Sequence, residues 1–230
     1  MPSSSRLAPF LALALSLSAC TTFGGVRSAA VRPGFSAEAS VASSGNVGDV
    51  SGWFWSDECV YPCNTNVFGV GGRVSYGFTS QTGPALALSV GIDGLYPHVE
   101  GYAQLGRGRV PFGIGARVGI PVDDMSREHG LFARVDVPLG ARTRLLLNPA
   151  LFVHEDEWFG TKTDNQTSGM FVGFVQGVGL EYDAGNVSFI PSVSVVRARS
   201  RHRGYDVEYG PEWTTFPVAS FGVSVGRKRQ

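Results

Sequence analysis

From Phe35 onward, apolar residues recur at every second position along the chain. Leu86, Leu88 and Val90, for example, alternate with small residues, and the same period returns in ten segments of roughly 8–13 residues. A period of two is typical of β-strands that have one apolar face. The pattern therefore predicts an all-β fold, a single antiparallel up-and-down β-barrel over residues 35–226. Ten strands is the expected number, with eight or twelve as alternatives, because the seventh and eighth segments alternate least cleanly and carry Gln176 on the apolar face.

The connections between these segments are alternately long and short. The long ones include residues 43–66, 155–168 and 200–213, whereas 140–141 and 183–186 are tight turns. Most acidic residues fall in the long connections, and basic residues gather in the short turns and at the two chain ends. This sorting assigns Arg27, Arg32 and Arg144 to the end with short turns, and Asp93 to the end with long loops.

The second face of the predicted strands consists of glycine, alanine and serine with isolated charges. The outer face of a soluble β-sandwich usually carries lysine, glutamate and threonine, yet this chain has only two lysines, Lys162 and Lys228. Small residues instead suit the interior of a narrow barrel. The isolated charges vary in sign, so we predict that they pair inside the lumen and plug it. These residues are Glu38, Arg73, Glu100, Arg117, Arg134, Asp136 and Glu181.

The N-terminus has the layout of a secretory signal. A short head with one charge, Arg6, precedes an apolar run that is too short to span a bilayer as a helix, and the run ends in Leu17-Ser18-Ala19-Cys20. These four residues resemble the lipobox of bacterial lipoproteins. The resemblance implies that residues 1–19 are removed, that Cys20 carries lipid (palmitate among its acyl chains), and that the outer membrane is the destination. An ordinary signal cleaved after Ser18 is the alternative.

The remaining chain divides into a lipidated N-terminus and linker at 20–34, the barrel at 35–226 and a basic tail at 227–230. Over nearly all of 35–226 it resembles small bacterial outer-membrane β-barrels, which combine short periplasmic turns with long external loops. Many such barrels end on an aromatic residue, whereas this chain ends Gly226-Arg227-Lys228-Arg229-Gln230. Because of that departure, a soluble, lipid-tethered barrel that binds a small hydrophobic ligand is the alternative interpretation.

Two cysteines remain if Cys20 is lipidated. Cys59 and Cys63 lie close together in the longest loop of an exported chain, which favours a disulfide over a metal pair because no histidine is nearby. The loops at 43–66, 155–168 and 200–213 are candidates for contact with a surface partner, besides outer-membrane lipid. The first could equally fold over the barrel mouth as a lid. Equal numbers of acidic and basic residues, 19 each, give no field that would favour nucleic acid.

The histidines offer the main candidates for catalysis. His98, His129, His154 and His202 are all expected at the external rim or in the external loops, and His154 with Glu155, Asp156 and Ser168 would suit a hydrolase at the outer leaflet. A Gly-x-Ser-x-Gly motif is lacking, as are the spacings of a calcium loop or a phosphate cradle, so no enzyme, metal or cofactor is expected. The sequence predicts a lipid-anchored outer-membrane barrel, plugged rather than a pore, with a structural or surface-interaction role.

Overall fold

The computed structural model describes residues 25–44, 67–79, 83–93, 96–106, 108–120, 126–157, 168–204, 207–209 and 213–226. These residues form eleven β-strands. The strands are β1 (Gly34–Ser44), β2 (Val67–Phe78), β3 (Ala85–Asp93), β4 (Tyr96–Gly106), β5 (Phe112–Gly119), β6 (Ser126–Pro138), β7 (Thr143–Glu157), β8 (Ser168–Asp183), β9 (Val187–Gly204), β10 (Val207–Tyr209) and β11 (Trp213–Gly226). Within the described residues, no helix is long and apolar enough to cross a membrane.

The strands close into a barrel by pairing each with its neighbour in the chain. β1 to β9 pair consecutively, β9 pairs with β11, and β11 returns to β1, with Ser36 opposite Gly226. The short β10 pairs with the far end of β9 and shares a wall position with β11. All pairings are antiparallel, so the predicted up-and-down barrel with ten strand positions is confirmed.

The two ends of the barrel differ in their connections. The short connections 79–84, 107–111, 139–142 and 184–186 share one end, called here the turn end, where β1 begins and β11 finishes. At the tightest of them, Ala184 donates to the carbonyl of Val187 over 2.8 Å, and Gly185 has a φ of 98° that favours glycine. The opposite end is called the loop end. Cys59 and Cys63, which were predicted to form a disulfide in its longest connection, lie outside the described residues.

The barrel wall has the opposite polarity to that of a soluble protein, with apolar side chains outside and polar side chains inside. Among the described residues, thirty large apolar side chains are exposed and only ten apolar residues are buried. Val90 is 59% exposed and Val118 is 51% exposed, whereas the adjacent Ser89 and Arg117 are buried. The alternation thus directs the apolar face outward and the small and charged face into the lumen.

Candidate functional site

The lumen contains the chain's own N-terminal segment, residues 25–33, called here the lumenal segment. It enters at the turn end, where the Arg32 guanidinium donates to the Ser188 hydroxyl at the start of β9. It then runs toward the loop end, so that Val26 lies over Gly177 in the middle of β8. The sequence predicted only a linker for this stretch, and the structure instead describes residues 25–33 as part of the barrel interior.

Two glycines make room for the lumenal segment. A Cβ atom at Gly77 would overlap the carbonyl oxygen of Arg32, and one at Gly177 would lie 2.6 Å from Cγ2 of Val26. The segment therefore approaches the wall more closely than any other residue type would allow there. Val26 also packs with Leu146 in a small apolar cluster inside the barrel.

Side chains of the wall satisfy the backbone of the lumenal segment. Asn148 accepts from the Arg27 amide and donates to the Arg27 carbonyl, both over 2.8 Å. Asp136 accepts from the Ala29 amide over 2.7 Å, and the Tyr102 hydroxyl donates to the Ala29 carbonyl over 2.9 Å. Such pairing replaces the water that an unpaired backbone group would otherwise need. In the described part of the chain the segment therefore adds no ladder to the sheet, and wall side chains bond its backbone.

Glu100 is the centre of the lumenal charges. Its carboxylate accepts from three arginines: Arg27 of the lumenal segment, Arg73 at 2.9 and 3.0 Å, and Arg134. Glu38 accepts from Arg73 over 2.6 Å and from Nε of Arg27 over 3.2 Å.

The orientation of Arg134 is set by two aromatic rings. Its guanidinium carbon lies 4.8 Å from the centre of the Tyr102 ring and 4.3 Å from that of Phe132. The two rings are stacked with centroids 6.1 Å apart, and they fill the space left by Gly113 and Gly115 on β5. Cation–π contacts of this kind stabilise a charge while it remains hydrogen-bonded to its carboxylate.

Two residues that the sequence assigned to the loop end lie inside the barrel. Asp93 is buried and pairs with Arg117 over 2.7 Å. His98 was expected at the external rim, but it is 1% exposed and its Nδ1 lies 2.9 Å from the Arg117 guanidinium. Because a guanidinium can only donate, this nitrogen is the acceptor, and the contact serves the charge cluster rather than a hydrolytic pair.

All seven charges proposed for a lumenal network face the interior. Glu38, Arg73, Glu100 and Arg134 join one network through Arg27, and Arg117 extends it through Asp93. Nearer the turn end, Asp136 lies 3.6 Å from Arg144, and Glu181 lies 3.8 Å from Arg32. Arg27 and Arg32, assigned from the sequence to a chain end, are therefore lumenal partners that the pattern did not reveal.

Two small cavities adjoin the lumenal segment among the described residues. One cavity of about 70 Å³ lies between the segment and Ser36, Arg73 and Glu181, and another of about 40 Å³ lies near Phe132 and Val175. Volumes of this size hold a few water molecules, not a ligand of drug size.

Of the other candidate residues, His129 alone has a described side chain. His129 is exposed, while the side chains of His154, Glu155, Asp156, Ser168 and His202 lie outside the described residues, as does Cys20. Among the described residues, no group of three or more histidine, cysteine or acidic side chains could hold a metal ion. The charged lumen with its segment is therefore the one candidate site that the described part of the chain builds.

Comparison with known proteins gives distant structural likenesses. No protein-family model and no curated protein sequence matches the chain. The fold is similar to Neisserial surface protein A (13% identity, TM-score 0.36, covering 83% of this chain and 96% of that one). It is also similar to the outer membrane protein Omp33 of Acinetobacter baumannii (8% identity, TM-score 0.30, covering 85% and 99%). Likenesses this distant carry no inference about function.

Proposed function

We propose that this protein is an integral β-barrel of the bacterial outer membrane whose lumen is closed by its own N-terminal segment. Lipid on Cys20 provides a second attachment to the same membrane. The protein is not an enzyme; its role is structural, or lies in contacts made by the loops at 43–66, 155–168 and 200–213. The observation that carries the proposal is the apolar outer surface around a lumen of paired charges.

The outward-facing side chains support insertion into a bilayer. Leu86, Leu88, Val90, Phe112, Ile114 and Val118 are each about half exposed, and all would have to face inward in a soluble barrel that binds an apolar ligand. An apolar surface that continues around the whole wall is far larger than a soluble monomer tolerates. Antiparallel strands that alternate apolar-out and polar-in are the pattern of membrane barrels.

An aromatic cluster at the turn end supports the same proposal. Phe35, Tyr76 and Phe78 project outward from the start of β1 and the end of β2, with ring centroids 4.8 Å apart in each adjacent pair. Leu139 and Tyr182 are also exposed near this end. Aromatic rings at one rim of an apolar belt suit the interface between lipid tails and headgroups.

The lumen argues against the competing function of carrying a small hydrophobic ligand. Its central part contains Glu38, Arg73, Glu100 and Arg134 together with Arg27, and the free volume beside them is small. An apolar ligand would have to displace the lumenal segment, take Arg27 away from Glu38 and Glu100, and exclude water from the remaining charged pairs, at a cost of several kcal/mol.

Fractionation tests membrane insertion. We expect the protein to stay in outer-membrane pellets after washing with carbonate and with urea, and to migrate faster on gels before boiling than after it. A Cys20→Ala variant should remain in the washed pellet, because the strands hold the barrel without the lipid. Release of that variant by carbonate, together with retention of the lipidated protein, would instead indicate a soluble barrel tethered only by lipid.

Planar-bilayer recordings test the closure of the lumen. The intact protein should conduct no ions, because Arg27 and its partners fill the centre of the barrel, whereas deletion of residues 25–33 should produce discrete conductance steps. Heat-modifiable migration establishes that the deletion variant still folds. Asp136→Asn, which weakens three contacts to Ser28, Ala29 and Ala30, provides a milder version expected to flicker open. Steady conductance of the intact protein would refute closure.

A further inference from the structure

The positive and negative charges at the centre of the lumen are unequal in number. Three guanidinium groups, those of Arg27, Arg73 and Arg134, share two carboxylates, those of Glu38 and Glu100. An arginine side chain stays protonated in proteins, and each carboxylate already accepts from two or more of these arginines. Among the described residues, this centre therefore carries one positive charge that its own carboxylates do not neutralise.

The neighbouring ion pair leaves this difference unchanged. Asp93 lies 4.0 Å from Arg27, but it also lies 2.7 Å from Arg117, so Asp93 and Arg117 together add one charge of each sign. A buried charge without a counter-charge is costly, because little water is present to solvate it. The centre of the lumen therefore favours one further negative charge.

The larger of the two lumenal cavities has room for that charge. Its volume is about 70 Å³, and its lining contains all three arginines but only one of their carboxylates, that of Glu38. Arg32 and Glu181 also line it, and they lie 3.8 Å apart as a pair of opposite charges. A volume of this size admits a halide ion together with a water molecule, whereas organic anions of ligand size are too large.

The residues around this cavity also bring hydrogen-bond donors. Arg73 has an Nε that is buried without a hydrogen-bond partner among the described residues. Ser36, Ser75 and Ser89 lie in one row across β1, β2 and β3, and each of them lines the cavity. Guanidinium N–H and serine O–H groups are donors from which a halide ion accepts hydrogen bonds. The charge, the size and the donors of the cavity thus all suit a small monovalent anion.

We propose that this cavity, called here the anion site, binds a chloride ion. One chloride neutralises the unmatched positive charge, whereas a doubly charged sulfate or phosphate would reverse it. Because Arg27 belongs to the lumenal segment and Arg73 to β2, the ion stabilises the segment against the wall. The inference rests on the closed lumen proposed above and not on insertion into lipid.

Urea-induced unfolding of the full chain in zwitterionic detergent micelles tests the anion site. The midpoint of unfolding should rise as chloride replaces gluconate at constant ionic strength, and the rise should level off once the site is filled. Gluconate is too large for the cavity, so the exchange separates binding from screening. A midpoint that is the same in chloride and in gluconate would overturn the proposal.

Two pairs of variants test the position of the site. Arg73→Gln removes the unmatched charge and should abolish the chloride dependence, whereas Arg144→Gln, at an arginine outside the lining, should retain it. Ser36→Ala should weaken chloride binding about 3- to 10-fold, and Ser40→Ala, on the same face of β1 but outside the lining, should not. Equal chloride dependence within either pair would overturn the anion site, so the serine pair decides if Arg73→Gln fails to fold.

Crystals of the protein grown in bromide test the site directly. Anomalous scattering should give a bromide peak inside the lumen, within hydrogen-bond reach of Arg73 or of the serine row. Bromide peaks confined to the protein surface would overturn the proposal. If the intact protein conducts no ions yet shows no chloride dependence, the anion site alone is refuted, whereas steady conductance refutes the closed lumen, so the two failures are distinguishable.

Discussion

Replacing Glu100 by glutamine is expected to lower the free energy of unfolding by about 3–5 kcal/mol, the range for removing one partner of a buried ion pair. Glu100 is 1% exposed and accepts from Arg27, Arg73 and Arg134. Glutamine has nearly the same shape, but it leaves three guanidinium groups around a neutral amide. Urea-induced unfolding in detergent micelles, followed by the loss of heat-modifiable migration, measures the change.

Glu38→Gln is the matched control for this substitution. Its carboxylate also contacts Arg27 and Arg73, yet its side chain is 14% exposed and both arginines retain Glu100 as a partner. We therefore expect a smaller loss of about 1–3 kcal/mol. Equal losses in the two variants would show that the charges act as a diffuse set and that Glu100 is not the centre of the network.

Replacing Val90 by arginine is expected to destabilise the folded protein in lipid by about 2–4 kcal/mol, the cost of a cation at the middle of a barrel's lipid-facing surface. Val90 projects outward from β3, opposite Val74 and Val99 on the neighbouring strands. A guanidinium there must either remain in hydrocarbon or bend toward the headgroups. Reversible unfolding in short-chain lipid bilayers measures the effect.

The control for Val90→Arg is the same substitution at a position nearer the edge of the apolar belt. Ile120 is exposed just beyond the loop-end limit of β5, where the apolar belt finishes, so Ile120→Arg should cost only about 0–1 kcal/mol. A soluble barrel would tolerate both arginines alike, since each would point into water. Small and equal losses of unfolding free energy at the two positions would therefore contradict the proposal that lipid surrounds the barrel wall.

The barrel itself could be predicted from the sequence because its pattern is local. Alternation along segments such as Leu86 to Ile92 depends only on the two faces of a strand, and the tight turn at 183–186 fixes which strands are neighbours. The inward direction of Glu38 and Arg73 followed from the same alternation. Each of these inferences needs information from only a few consecutive residues.

The lumenal segment could not be predicted in the same way. Residues 25–33 have no period, and their partners are remote in the chain: Arg27 bonds Glu100, 73 residues away, and Asn148, 121 residues away. Arg27 and Arg32 in a stretch of small residues resemble the basic ends of any exported chain. His98 shows the converse limit, because a short connection beside it suggested a rim position while its own strand alternation pointed inward.

The course of the lumenal segment leads us to expect a particular order of strand pairing during folding. Its side-chain partners include residues of β4, β6, β7 and β9, yet it continues directly into β1, whose pairing with β11 closes the wall. A barrel that sealed first would enclose Glu100 and Asp136 without these partners and leave the segment outside. We therefore expect the pairing of β1 with β11 to form last, after the N-terminal segment has reached its partners in the lumen.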